Sequence, residues 1–269
     1  MPSTGGATRL ARRCPPRSAG RVVRLLAELL DLVLPVECAA CGRPGDAWCR
    51  RCSAALARSR LALGVRVVAP DPVPPAFPDC FAWGQYTGPL RAGVRSWKDG
   101  GRRDLDRGLA SLLAVAMEAA LRGCARGSPD GSAPPRGPVV VVPVPSSARA
   151  VRLRGDRPLE RVTRHALELL AGVPAGRPGL LGPLDALHHR RVVADQAGLG
   201  ALGRSANLAA SMEVRRRTAA LIRGARCLIV DDVVTTGSTL AEGTRALRAA
   251  GASDVRAAVI AATPRRSGP

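Results

Sequence analysis

Thirteen residues, Cys227-Leu-Ile-Val-Asp-Asp-Val-Val-Thr-Thr-Gly-Ser-Thr239, bring three kinds of chemistry into one stretch. The apolar run 227–230 reads as a buried strand. Asp231 and Asp232 follow at its carboxyl end, the edge at which open α/β sheets bind ligands. Val233 and Val234 lead on to Thr235, Thr236, Gly237, Ser238 and Thr239, which run into a helix start. Hydroxyls, a glycine that permits close backbone approach and free N–H groups make an anion cradle there. Bare carboxylates beside such a cradle would repel a phosphate, so they need a second partner: sugar hydroxyls or a magnesium ion. Phosphate and diol recognition side by side describe a site for ribose 5-phosphate. An ordinary strand-turn-helix would leave the paired acids unexplained.

A second constellation is Cys38-x2-Cys41 followed by Cys49-x2-Cys52. A two-residue gap lets both thiolates of a knuckle point at one ion, and two knuckles complete a tetrahedron. Gly42 and Gly45 supply the tight turn between them. Structural zinc is the expectation, with a redox pair as the alternative. A four-thiolate site is closed to substrate, so its role is to fold a segment too small to hold itself together. Eight cysteines in a chain with no legible secretion signal argue against a disulfide framework. Cys14, Cys80, Cys124 and Cys227 read as incidental thiols.

Other residues surround these two constellations. Pro145, Ser146 and Ser147 follow the β-branched run 138–144, which places them at the same sheet edge as the acids. Their loop either holds a pyrophosphate or is a plain connection. Arg149, Arg152 and Arg154 add cationic donors suited to a diphosphate. Lys98 is the only lysine among 41 basic residues, by coincidence or because an ammonium point charge is needed there. Gln196, Arg204 and Asn207 lie in the polar stretch 190–208, which is either a lid or a connecting loop. His188 and His189 have no third ligand at useful spacing and read as solvent-facing polar residues.

These groups need elements to position them. Strands are expected over 81–86, 138–144, 227–230 and 255–262. Helices are expected from Pro89 to Trp97 and over 104–121, 158–171 and 238–250. Strand, helix, strand across the phosphate loop implies a parallel sheet with right-handed crossovers, an α/β fold. Segment 65–78 holds five prolines and reads as a linker, dividing the chain into 1–64, 65–79 and 80–269. Leucines at helical spacing within 22–36 predict an amphipathic packing helix, too short and charged to span a bilayer. A cytoplasmic location follows as an expectation.

Composition adds bounds. The chain has 269 residues, of which 46% are apolar and 2% aromatic, so Leu, Val and Ala must fill the core. Its net charge of +20 comes almost wholly from arginine. That charge suits either a generic solvated surface or a polyanion-binding one.

The loop resembles the phosphoribosyl-diphosphate (PRPP) signature of type I phosphoribosyltransferases. The resemblance implies that Asp231 and Asp232 contact ribose hydroxyls while 233–239 wrap the 5-phosphate, with Mg²⁺ accompanying PRPP. The paired cysteine knuckles, Tyr86-Thr-Gly-Pro, Ser96-Trp-Lys98-Asp-Gly-Gly, Val142-Pro-Val-Pro-Ser-Ser147, Arg154-Gly155, Gln196 and Arg204-x2-Asn207 occur in that order. The series is similar to the ComF/GntX family of amidophosphoribosyltransferase-like proteins, associated with DNA uptake during competence. That resemblance implies a Rossmann-like parallel sheet flanked by helices, a type I phosphoribosyltransferase-like fold, behind a small N-terminal zinc ribbon. It implies phosphoribosyl transfer to, or recognition for, an undefined acceptor. The rival is a non-enzymatic uptake accessory that engages single-stranded DNA or a helicase partner.

Overall fold

The computed structural model describes residues 36–60, 64–125, 137–146, 151–152, 155–172, 179–190 and 211–264. Residues 22–35 of the helix expected within 22–36, and Ser147, Arg149, Arg154, Gln196, Arg204 and Asn207, lie outside the described residues. In chain order the principal elements are α1 (Arg50–Arg58), β1 (Arg66–Val68), β2 (Cys80–Gln85), α2 (Gly88–Lys98), α3 (Asp106–Ala125) and β3 (Val139–Pro143). Then come α4 (Pro158–Ala171), β4 (Leu180–Leu181), β5 (Leu187–His189), β6 (Met212–Val214), a single turn α5 (Ala219–Ile222), β7 (Arg226–Val234), α6 (Ser238–Ala249) and β8 (Asp254–Ala262).

Six strands form one sheet in the order β1-β2-β8-β7-β3-β4. The pairs β2–β8, β8–β7, β7–β3 and β3–β4 are parallel, and β1 adds antiparallel at the edge. β3 reads Val-Val-Val-Val-Pro and is buried throughout, as expected of a strand covered on both faces. The chain leaves β3 toward β4 and leaves β7 toward β8, in opposite directions across the sheet. The β3–β7 seam is therefore a topological switch point, where open sheets leave a crevice at the strands' carboxyl ends. β5 and β6 form a separate antiparallel pair. Among the described residues, no helix is long and apolar enough to cross a membrane.

Three expectations change in detail. The strand expected over 227–230 runs on through both acids to Val234, because β8 supplies parallel partners as far as Ala262. Carboxylates are poor strand formers, and pairing with a neighbour overrides that preference. The proline-rich segment expected as linker contributes β1 to the sheet edge, and its Pro70 and Phe77 pack against Gly237. The helix expected from 104 begins at Asp106, after a 3₁₀ turn over Arg103–Leu105.

One buried carboxylate ties the helices over the cleft. Asp106, 6% exposed, accepts a 2.6 Å bond from the Trp97 indole N–H and a 2.7 Å bond from Arg161 Nε. Arg161 and Arg103 meet again at Asp156, which fastens α4 to the turn after α2. Burial opposes ionisation of Asp156, but the two guanidiniums hold its carboxyl below the usual range. Asp106→Asn sets an amide N–H₂ against one of two donors and removes one of the two carboxylates that pair with Arg161. Loss of about 2–3 kcal/mol is expected from urea denaturation.

Candidate functional site

The crevice at the switch point is a cleft of about 470 Å³. β3 ends at Pro143 opposite Val230, so β7 continues into Asp231 and Asp232 with no β3 partner. That missing neighbour opens one side of the acids to the cleft, while β8 holds the other. Asp231 Oδ1 accepts the Asp232 N–H, and Asp232 Oδ1 accepts the Val233 N–H, each at 2.8 Å. Both carboxyls are thus fixed by their own backbone. Lys98, the last residue of α2, places Nζ 2.6 Å from Asp232 Oδ2. Asp232 is only 4% exposed, yet its carboxyl lines the cleft beside Lys98. Burial, reinforced by the Asp232 charge, pushes the Asp231 carboxyl well above the usual carboxylate range.

The loop from β7 to α6 stands next to the acids. Thr235 and Thr239 line the cleft, and the Thr236 and Ser238 hydroxyls lie 3.1 Å apart. Gly237 caps α6 at φ +73°, a conformation that side chains resist. A Cβ there would lie 2.6 Å from the Phe77 ring and 2.8 Å from Pro70. Val233 lines the cleft; Val234 is buried, and its carbonyl accepts both the N–H and the hydroxyl of Thr263.

Of the residues singled out on the pyrophosphate side, Lys98, Pro145 and Ser146 reach the cleft. Arg152 is exposed and does not line it. The structure adds Tyr86, Arg95, Trp97, Asp99, Leu159 and His189 to the wall. The two adjacent histidines take opposite faces of β5, as strand alternation requires. His189 lies 3.2 Å from the Pro145 carbonyl through Nε2. His188 faces a shallower pocket beside Arg215, Arg216 and Arg217. A strand period over 187–189 would have separated them, but three residues are too few to show one. The β5–β6 pair is clamped to α6: Glu242 accepts the Met212 N–H, and Arg245 bonds both Glu242 and the Met212 carbonyl.

Charge bears on what the cleft can hold. Among its described lining residues, Asp99, Asp231 and Asp232 face two fixed cations, Arg95 and Lys98. A phosphorylated ligand brings more negative charge to these carboxyl groups, and a hard divalent ion with oxygen ligands such as Mg²⁺ fits beside them.

The four cysteines of the two knuckles converge, with their sulfurs all within 4.8 Å of one another. Cys41 Sγ and Cys49 Sγ are 3.7 Å apart. Sulfurs around a tetrahedral zinc at about 2.3 Å stand roughly 3.8 Å apart, so the cluster fits that ion. Burial opposes ionisation of Cys38, yet the N–H groups of Cys49, Ala40 and Cys41 bring it down to about 6. Cys52 is pushed up to about 12 by burial and the crowding sulfurs. Four thiols this close cannot all ionise by themselves, and a dication at their centre makes it possible.

The phosphoribosyl transferase domain family matches residues 182–269, which include β7, the loop and α6. No curated protein matches the chain. Among solved structures, one of the allosteric regulatory enzyme of purine biosynthesis is similar at 19% identity and a TM-score of 0.29, over 58% of this chain. The chain spans 25% of that structure's length. Residues 182–269 thus match the phosphoribosyl transferase domain family, and the described residues form a mixed α/β fold with a mostly parallel sheet.

Two outcomes are expected. Folding raises the Asp231 carboxyl, so the stability of its neutral form is lost as pH rises through that raised range. Asp231→Asn therefore raises the melting temperature of the ligand-free protein by a few degrees, and the gain grows as pH rises above the ordinary carboxylate range. The purified protein carries about one equivalent of zinc by atomic emission, and Cys49→Ser loses most of it.

Proposed function

We propose that the cleft binds PRPP, or another phosphorylated ribose, together with Mg²⁺, and that the chain transfers or recognises a phosphoribosyl group. One observation carries this: the paired acids of β7 and the hydroxyl loop opening α6 face one cleft at the switch point, with Lys98 of α2 reaching Asp232 across it. The domain match over 182–269 supports the same ligand class.

In this reading Asp231 and Asp232 orient the ribose through its hydroxyls, and residues 233–239 hold the 5-phosphate by amides, hydroxyls and the helix start. Lys98 offsets one acid, so an incoming diphosphate meets less negative charge. Pro145, Ser146 and Ser147, with Arg154, serve the pyrophosphate side; Gln196, Arg204 and Asn207 close over it. Mg²⁺ supplies charge neutralisation to the departing pyrophosphate. The cleavage at C1 is oxocarbenium-like, and this chain's part is to hold sugar and pyrophosphate still while a nitrogen acceptor approaches. No nucleophilic side chain is required. The cysteine module binds structural zinc. Residues 1–64, 65–79 and 80–269 act as module, connector and ligand-binding domain, in a reducing, cytoplasmic setting.

The order of motifs favours the finer placement in the ComF/GntX group and a part in DNA uptake. Its net charge of +20 favours a second reading, a non-enzymatic accessory that engages single-stranded DNA or a helicase.

Calorimetric titration with PRPP and Mg²⁺ separates the readings. Saturable binding weakened about 100-fold or more in Asp231→Asn/Asp232→Asn supports the first. Salt-sensitive DNA binding indifferent to both acids, with no PRPP binding, supports the second.

A further inference from the structure

The four-cysteine module does not sit apart from the cleft; it holds the far side of the helix that presents Lys98. α2 has only 11 residues, and Thr87 at its start makes no side-chain capping bond. Such a helix is marginal by itself and takes its placement from packing. Its two faces differ. Val94, Trp97 and Lys98, at helical spacing, line the cleft. Gly93 and Ser96, three apart, face the module.

Three contacts join them. Trp48, the residue before Cys49, lays its ring where Gly93 and Gly108 leave room. A Cβ at Gly93 would stand 2.0 Å from Trp48 Cη2, and one at Gly108 would stand 3.3 Å from Trp48 Nε1. The Ser96 hydroxyl donates to the Ala39 carbonyl at 3.2 Å, inside the first cysteine knuckle. Just beyond α2, Arg102 donates to the Glu37 carbonyl at 2.6 Å and is itself fixed by Asp104. The module thus grips the chain on both sides of Lys98, at Ser96 and at Arg102. Lys98 needs that grip, because a helix's last residue is where fraying begins.

We propose that Trp48 is a positioning residue: seated against Gly93 and backed by the Ser96–Ala39 bond, it sets α2 so that Lys98 meets Asp232 across the cleft. The metal-loaded module is then part of how the ligand site is built. This rests on the reading of that cleft as the PRPP site.

The test uses the full-length, zinc-loaded chain carrying Trp48→Ala, with Trp48→Phe as the conservative variant. Hydrogen exchange and PRPP–Mg²⁺ calorimetry are read side by side. In Trp48→Ala with zinc retained, α2 amides exchange about tenfold faster while β3 and β7 amides keep their protection, and PRPP affinity falls about tenfold. Trp48→Phe recovers most of both. Unchanged α2 exchange in a folded, zinc-loaded Trp48→Ala overturns the proposal, as does affinity within twofold of the parent. If the parent protein itself binds no PRPP, the ligand reading fails, and α2 exchange alone decides the coupling. Should Trp48→Ala lose zinc or fold, Gly93→Ala displaces the ring from the opposite side. Alanine is the better helix former, so faster α2 exchange in that variant reports lost docking.

Discussion

Two adjacent carboxylates held by strand pairing are the constraint on which the rest depends. β8 fixes β7 through Asp231 and on to Val234, while β3 stops one residue short of the acids. The acids are therefore rigid on one side and open on the other. Burying one carboxyl beside the charge of another costs stability, and both effects raise the Asp231 carboxyl. Lys98 offsets part of that cost across the cleft. A site that keeps such a charge arrangement in the free protein is preorganised for a ligand bearing hydroxyls and a cation.

The surroundings follow from this constraint. The loop needs Gly237 in a left-handed conformation, packed under Phe77 and Pro70, to bring its hydroxyls beside the acids. The Asp106, Asp156, Arg103 and Arg161 network fixes the end of α2 and the start of α4 around the same cleft. The cysteine module grips α2 from behind through Trp48, Ala39 and Glu37. Each of these elements holds one wall, and none of them carries the ligand chemistry itself.

What was legible in the sequence was local. The thirteen-residue loop and the cysteine spacing announce themselves because their chemistry lies within a few residues. The β-branched run at 139–143 and the helix over 158–171 show in periodicity, and the parallel order follows from alternation of strand and helix. What was hidden depends on distant partners. Asp231 and Asp232 lie inside a strand because β8 reaches Ala262, which no local pattern states. The prolines at 70–75 suggest a linker, while its preceding residues pair at the sheet edge. His189 joins the cleft because β5 is clamped to α6 by Glu242 and Arg245. Lys98 stood out as a lone lysine, but its partner, Asp232, is 134 positions away. Gly93 carried no signal, since the ring that requires it belongs to Trp48.

The acids and the hydroxyl loop are proposed to grip one phosphorylated sugar together. A crystal structure of the protein with ribose 5-phosphate and Mg²⁺ tests it most directly. The phosphate is expected on the amides and hydroxyls of 235–239, with the sugar hydroxyls on Asp231 and Asp232. A phosphate bound elsewhere on the arginine-rich surface, with the acids untouched, would contradict it.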